Sequence, residues 1–179
     1  DIAVLCKTNA GVQTVAEALR IASVPWATQQ SGLLSTPEAV LAVACLRRFN
    51  DPRDTLASAE IVSLADCEEP ESWLADRLHY LEAGGDSAQW RDGTEGGHPL
   101  LARIAKLREQ APLLSPYAAM ELVVVQCDLA GRVLRWRRNE LVAHVRLANL
   151  QALLGLARTY EDACLARREP GTVSGLILW

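Results

Sequence analysis

Aromatic side chains are scarce in this 179-residue sequence: they make up 5%, with one Phe, and there is a single Met. Ring stacking can therefore anchor only a small part of any core, and five of the few rings are tryptophans. No apolar run approaches the roughly 20 residues that cross a bilayer, and no stretch reads as a secretory signal. Positive charge is also short. A net charge of −4 excludes a free-standing basic nucleic-acid binder, so any such contact must use a local patch. The five cysteines (Cys6, Cys45, Cys67, Cys127, Cys164) are odd in number and contain no C-x-x-C. With the histidines scattered at 79, 98 and 144, neither zinc spacing nor a Cys/His catalytic signature is present. Small buried thiols in a reducing, cytoplasmic compartment fit this usage best. There is no G-x-x-x-x-G-K-[ST] phosphate loop and no D-E-x-x magnesium motif.

What is present is a large apolar fraction, half of all residues, which suffices for a sizeable core. The first residues, Asp1-Ile2-Ala3-Val4-Leu5-Cys6-Lys7-Thr8-Asn9, read as a strand over 2–6 that ends in a cation, a hydroxyl and an amide. A helix over 10–22 and a strand over 24–28 follow. In an open α/β sheet the carboxyl edge of a strand is where ligands sit, and a lysine there offers a point charge to phosphate. Beyond this the pattern is helical. Thr36-Pro37, Asp51-Pro52 and Ser115-Pro116 each set a capping side chain before a proline at the first helical position. Ser35 with Glu38, and Asp51 with Asp54, have capping-box spacing. These signals predict helices over about 36–49, 52–64 and 115–128.

Further helices are expected over 69–82, ending at Gly84-Gly85, and over 98–111. The stretch from Gly84 to Gly97, with five glycines, reads as a mobile loop. A long helix is expected over 138–167. Its apolar stripe is Leu141, Val145, Ala148, Leu153, Leu156, Tyr160 and Cys164, with Arg146 and Arg158 off that stripe. Glu169-Pro170-Gly171 ends it, and Thr172 caps a last helix. The composition divides the chain into an α/β part over 1–62 and an all-helical part over 63–179, so the fold class is mainly α with a short α/β segment at the N-terminus. The absence of an initiator Met and the apolar close Leu176-Ile177-Leu178-Trp179 read as a fragment of a longer protein.

Three segments in order carry a resemblance: Ile2-Ala3-Val4-Leu5-Cys6-Lys7-Thr8-Asn9, then Leu33-Leu34-Ser35-Thr36-Pro37-Glu38, then Leu46-Arg47 with Asp51-Pro52-Arg53-Asp54-Thr55-Leu56-Ala57. A fourth is Arg146-Leu147-Ala148-Asn149-Leu150-Gln151-Ala152-Leu153, an R-x-x-N-L-x-x-L helix. Together they resemble the second motor domain and inserted subdomain of UvrD/Rep-type superfamily 1 ATP-dependent DNA helicases, in the RecB/AddA-like branch. The resemblance implies a RecA-like motor subdomain 2A over 1–62, incomplete here, and a helical 2B-type insertion over 63–179. It implies a bacterial, nucleoid-associated parent that moves 3′ to 5′ on DNA in repair or recombination, using ATP and Mg.

By the same resemblance Lys7, Thr8 and Asn9 contact the nucleotide, with Lys7 at the phosphates. Two positions depart from the family. Lys7 stands where arginine is usual and lacks its bidentate fork. Cys6 stands where an aromatic ring often stacks on the base. Glu38 matches the acidic residue of the helix-start motif, where a capping and dipole role is expected. Arg53 and Asp54 are expected to organise the junction. Arg132, Arg135, Arg137 and Arg138 with Trp136 form the densest basic cluster and are the candidate DNA contacts. The duplex-binding "GIG" turn of related insertions is missing; acidic Ala65-Asp66-Cys67-Glu68-Glu69 stands near its place. The implied partners are single-stranded or duplex DNA, the rest of the helicase chain and a nuclease or repair protein, with no membrane. Phosphoryl transfer needs motifs that this chain lacks, so the chain alone is expected to be non-catalytic. The alternative is an inactive helicase-like interaction module of a nuclease–helicase complex.

Overall fold

A computed structural model describes residues 4–22, 24, 32–65, 70–92, 97–136 and 140–179. They fall into two compact units, Asp1–Leu33 and Leu34–Trp179. The described residues are mainly helical and contain no strand. Of the strand expected over 2–6, residues 4–6 are described and carry no regular secondary structure; of that expected over 24–28, all but residue 24 lie outside the described residues, and residue 24 carries none either.

The first unit holds helix α1, Asn9–Ile21. Thr8 starts it: its Oγ1 accepts from the Gly11 backbone N at 3.1 Å, filling one of the free donors at a helix N-terminus.

The second unit is a helical assembly around α2, Pro37–Asn50. Ala39, Leu41, Ala42, Ala44, Cys45, Leu46 and Phe49 of α2 are all buried. A helix with apolar residues on every side belongs in the middle of a bundle, and its small residues let neighbours approach. Around it pack α3 (Thr55–Ala65), α5 (Pro99–Leu107), α6 (Pro116–Gln126), α7 (Leu129–Arg135), α8 (Glu140–Arg167) and α9 (Val173–Leu178). Helix α4, Pro70–Glu82, packs on α3. Each fully buried Leu, Ile or Val of this core contributes about 1.5–3 kcal/mol.

The proline signals mark the helix starts unevenly. Pro116 opens α6, and Ser115 Oγ accepts from Ala118 N at 3.3 Å. Pro37 opens α2, but Thr36 makes no capping hydrogen bond. The helix expected from Pro52 starts three residues later. Asp51 closes α2 through its N–H to the Arg47 carbonyl, and its side chain accepts from Arg53 N at 2.8 Å to form a turn. Asp54 is the cap of α3 instead, accepting from Ala57 N at 2.9 Å. Helix α6 takes a second cap from α8, where Glu161 Oε1 accepts from Tyr117 N at 2.7 Å. A carboxylate there also meets the positive end of the helix.

The glycine-rich stretch is not a free loop where it is described. Ser87–Gln89 form a short turn of helix and Trp90 is 2% exposed. The helix expected over 98–111 divides into α5 and a 3-10 segment, Arg108–Leu113, with His98 Nδ1 capping α5 by accepting from Leu100 N at 3.2 Å.

Helix α8 begins at Glu140; the expected start at Arg138 lies outside the described residues. Its buried residues are Leu150, Leu153, Ala157, Tyr160 and Cys164. Val145, Ala148 and Leu156 of the expected stripe are exposed, while Arg146 and Asn149 turn inward. No helix among the described residues is long and apolar enough to cross a membrane.

Candidate functional site

In the first unit, Lys7 is exposed on the bend that leads into α1, one residue before the capping Thr8. Cys6 is half-buried beside Gly11, where an added Cβ would lie 3.4 Å from Cys6 Cβ. The cation therefore stands next to the N-terminus of a helix of 13 residues, an arrangement that favours an anion. The Asn9 side chain lies outside the described set.

In the second unit a polar site joins the start of α2 to the middle of α8. Glu38 is 3% exposed, on the first turn of α2. Asn149 Nδ2 donates to Glu38 Oε1 at 2.6 Å, and Arg146 Nε lies 4.0 Å from Glu38 Oε2. Arg146 Nη1 donates in turn to the carbonyls of Trp136, at 3.1 Å, and Val133, at 3.4 Å. Its guanidinium also lies over the Trp136 ring, 5.5 Å from the centroid. A buried carboxylate survives only when paired and hydrogen-bonded, and this one is both. Glu38 thus ties two helices together, beyond the capping role expected of it.

Arg47 and Arg48, adjacent on α2, point to two different sites. Arg47 binds Asp54 through both ends of its fork, Nε to Oδ2 at 2.9 Å and Nη2 to Oδ1 at 3.0 Å, and reaches Glu60 Oε2 at 3.0 Å. This geometry is specific to arginine, and it fixes Asp54 as the cap of α3. Arg53 is 83% exposed and ion-pairs with Asp51 at 3.6 Å. Arg48 is fully buried. Its Nη2 donates to Asp92 Oδ2 at 2.6 Å and to the Ala88 carbonyl at 2.7 Å. Arg108 donates to the Arg48 carbonyl at 2.9 Å. Burial holds the Arg108 guanidinium below its usual value, and the neighbouring Arg48 charge adds to this.

Trp90 is the apolar part of the same site. Its ring packs on Trp73 at 5.7 Å between the guanidiniums of Arg77, at 4.9 Å, and Arg91, at 5.2 Å. Its Nε1 donates to Asp76 at 3.3 Å. The pull of Arg48 and Trp90 explains why residues 84–92 lie down on the bundle.

Of the candidate DNA contacts, Arg132 and Trp136 are engaged within the unit, while Arg135 is exposed. Arg132 Nε donates to the Cys127 carbonyl at 3.1 Å. Arg135 pairs with Asp128 at 3.6 Å, and Trp136 is half-buried under Arg146. Arg137 and Arg138 lie outside the described residues. Asp128 begins α7 in a left-handed conformation, φ 50°, and caps it by accepting from Gly131 N at 3.2 Å.

An apolar cavity of about 430 Å³ opens among α2, α3, α6, α8 and α9. Val43, Leu46, Met120, Leu153 and Trp179 line it, with Arg47 and Glu60 as its charged members. Trp179 is held by Tyr160, with ring centroids 5.6 Å apart. No group of three or more metal-ligating side chains is found among the described residues.

The sequence sets Lys7, Thr8 and Asn9 at the end of a strand, with Asn9 the expected cap of the helix over 10–22; the structure starts that helix at Asn9, and Thr8 is its cap. Sequence reasoning missed Arg48, Arg146 and Asn149 as organising residues. The available signal was an arginine within an otherwise apolar helix, since an isolated charge in such a setting demands a partner. The chain matches no family model, no curated protein and no solved structure.

Proposed function

We propose that this chain is part of a UvrD/Rep-type ATP-dependent DNA helicase, comprising the opening of motor subdomain 2A, with its short α/β segment, and a 2B-type helical insertion. The observation that carries the reading is the joining of two of its resembling segments. Glu38 of the Thr-Pro-Glu motif and Arg146 and Asn149 of the R-x-x-N-L-x-x-L helix make one buried polar site, although they are far apart in sequence.

In this reading Lys7 offers its charge to the phosphates of ATP, assisted by the free N–H groups at the start of α1. Thr8 holds that helix start in place. Mg and the remaining phosphate-binding groups come from the rest of the parent. The helical unit carries contacts to duplex, single strand or a repair partner, and regulates unwinding.

The test is DNA-stimulated ATP hydrolysis by the full-length parent, wild type beside Lys7→Ala. The reading expects strong stimulation in the wild type, reduced at least tenfold in the variant, since one phosphate contact contributes on the order of 1.5–3 kcal/mol. Stimulation unchanged by the substitution would remove Lys7 from the nucleotide site. An inactive wild type would move the protein to the second reading, a helicase-like interaction module. The engagement of Arg132 by the Cys127 carbonyl favours that alternative.

A further inference from the structure

The 430 Å³ cavity among the helices is larger than the voids of a packed interior and falls in the size range of small-molecule pockets. Its lining is graded. Leu46, Met120 and Leu153 make a buried floor, at 1%, 3% and 2% exposed. Leu156 and Trp179 stand exposed at its rim, so the cavity is open to solvent on that side. Water finds few hydrogen bonds on such walls, and an apolar body displaces it at little cost. Trp179, whose ring packs on Tyr160 at 5.6 Å, adds an aromatic group to the rim.

The charges at the edge of the cavity do not cancel. Arg47 is shared between two carboxylates: its fork takes Asp54 at 2.9 and 3.0 Å, and Nη1 donates to Glu60 Oε2 at 3.0 Å. One cation against two anions leaves a net negative charge. Arg47 and Glu60 line the cavity, with side chains 24% and 30% exposed, so water screens them only in part. Asp54 also caps α3, accepting from Ala57 N, which leaves Glu60 as the carboxylate open to an incoming donor. A carboxylate has room for several donors at once.

We propose that this cavity is a binding site for a small amphiphilic cation, an apolar body carrying one amine. The body lies on the floor of Leu46, Met120 and Leu153, and the ammonium pairs with Glu60 at the edge. A charge-assisted hydrogen bond there orients the ligand, and the Trp179 ring favours a cation further. An anion of the same shape meets the net negative charge and is excluded by it. Neither nucleotide nor DNA enters the chemistry of this site, so it stands or falls apart from the helicase reading.

The test uses the chain's one methionine as the reporter. Isotope labelling of the Met120 methyl carbon gives a single NMR signal from the floor of the cavity. Three probes share a naphthalene ring and differ in charge: 1-naphthylmethylamine, 1-naphthylmethanol and 1-naphthoate. The expected result is a saturable shift of the Met120 signal, with the amine bound about fivefold more tightly than the alcohol and the carboxylate weakest. Glu60→Gln leaves Arg47 on Asp54, and in this variant the preference for the amine is expected to fall below about twofold while the alcohol binds as before. No shift with any probe would overturn the proposal. So would a carboxylate bound as tightly as the amine, or a preference for the amine that survives in Glu60→Gln. A Met120 signal that moves with protein concentration alone would give the cavity to a second copy of the chain and overturn the proposal as well. If the variant does not fold, the ranking of the three probes on the wild type decides.

Discussion

Asn149 donates to Glu38 at 2.6 Å across a sequence separation of 111 residues, and the carboxylate that receives this bond is almost wholly buried. Asn149→Ala removes the closest donor and leaves the charge with Arg146 at 4.0 Å. The expected loss is about 2–3 kcal/mol of unfolding free energy, the cost of stranding a buried acceptor. Glu38→Gln keeps an oxygen for Asn149 and should lose less than about 1 kcal/mol. Urea denaturation of the two variants decides, and a reversed order would contradict the role given to the bond.

Arg48 and Asp92 form the second buried link, at 2.6 Å with Arg48 fully enclosed. Breaking a buried pair from one side leaves an uncompensated charge, so Arg48→Met is expected to cost about 3–5 kcal/mol. Arg48→Met combined with Asp92→Leu removes both charges and should cost less than the two single changes added together. Additive losses in a double-mutant cycle would show that the two side chains act independently.

Asp51 sets a pH dependence. Its carboxyl is held below the ordinary value of 3.8, first by the backbone N–H of Arg53 and then by the Arg53 charge. A depressed folded value means that the stabilisation is complete above the unfolded value near 3.8. It is lost as pH falls through the lower folded one. The group is exposed to solvent, so the effect is small. A carboxyl NMR titration should place the Asp51 midpoint below 3.8; a midpoint at or above that value would remove the turn as its cause.

The helices were legible in the sequence where a single local signal governed the start. Ser115-Pro116 named the beginning of α6 because cap and proline agree. Asp51-Pro52 misled because two aspartates three residues apart both offer a cap. Which one serves depends on Arg47, which grips Asp54 from the preceding helix. The inward face of α8 was misread for a related reason. Apolar periodicity skips Arg146 and Asn149, and only the distant Glu38 turns them inward. The stretch after Gly84 looked loose because glycine content is local, whereas the pull of Arg48 on Ala88 and Asp92 is not. At the candidate nucleotide site the sequence points to Asn9 as the cap, one residue late: Thr8 and Asn9 both offer a capping side chain, and it is the Thr8 hydroxyl that meets the Gly11 N–H.

Helix α8 is also a mechanical element. Its 28 residues make a bar of about 42 Å at the helical rise. Near one end Glu161 grips the start of α6, and near the other Arg146 carries the carbonyls that close α7. The arm between those grips is about 22 Å long, so a swing of about 10° at Glu161 moves Arg146 by about 4 Å. The Glu38–Asn149 bond sits close to the moving tip, where a short tether has the greatest leverage against rotation. A latch of one hydrogen bond, 2.6 Å long, in that position restrains a displacement of about 4 Å.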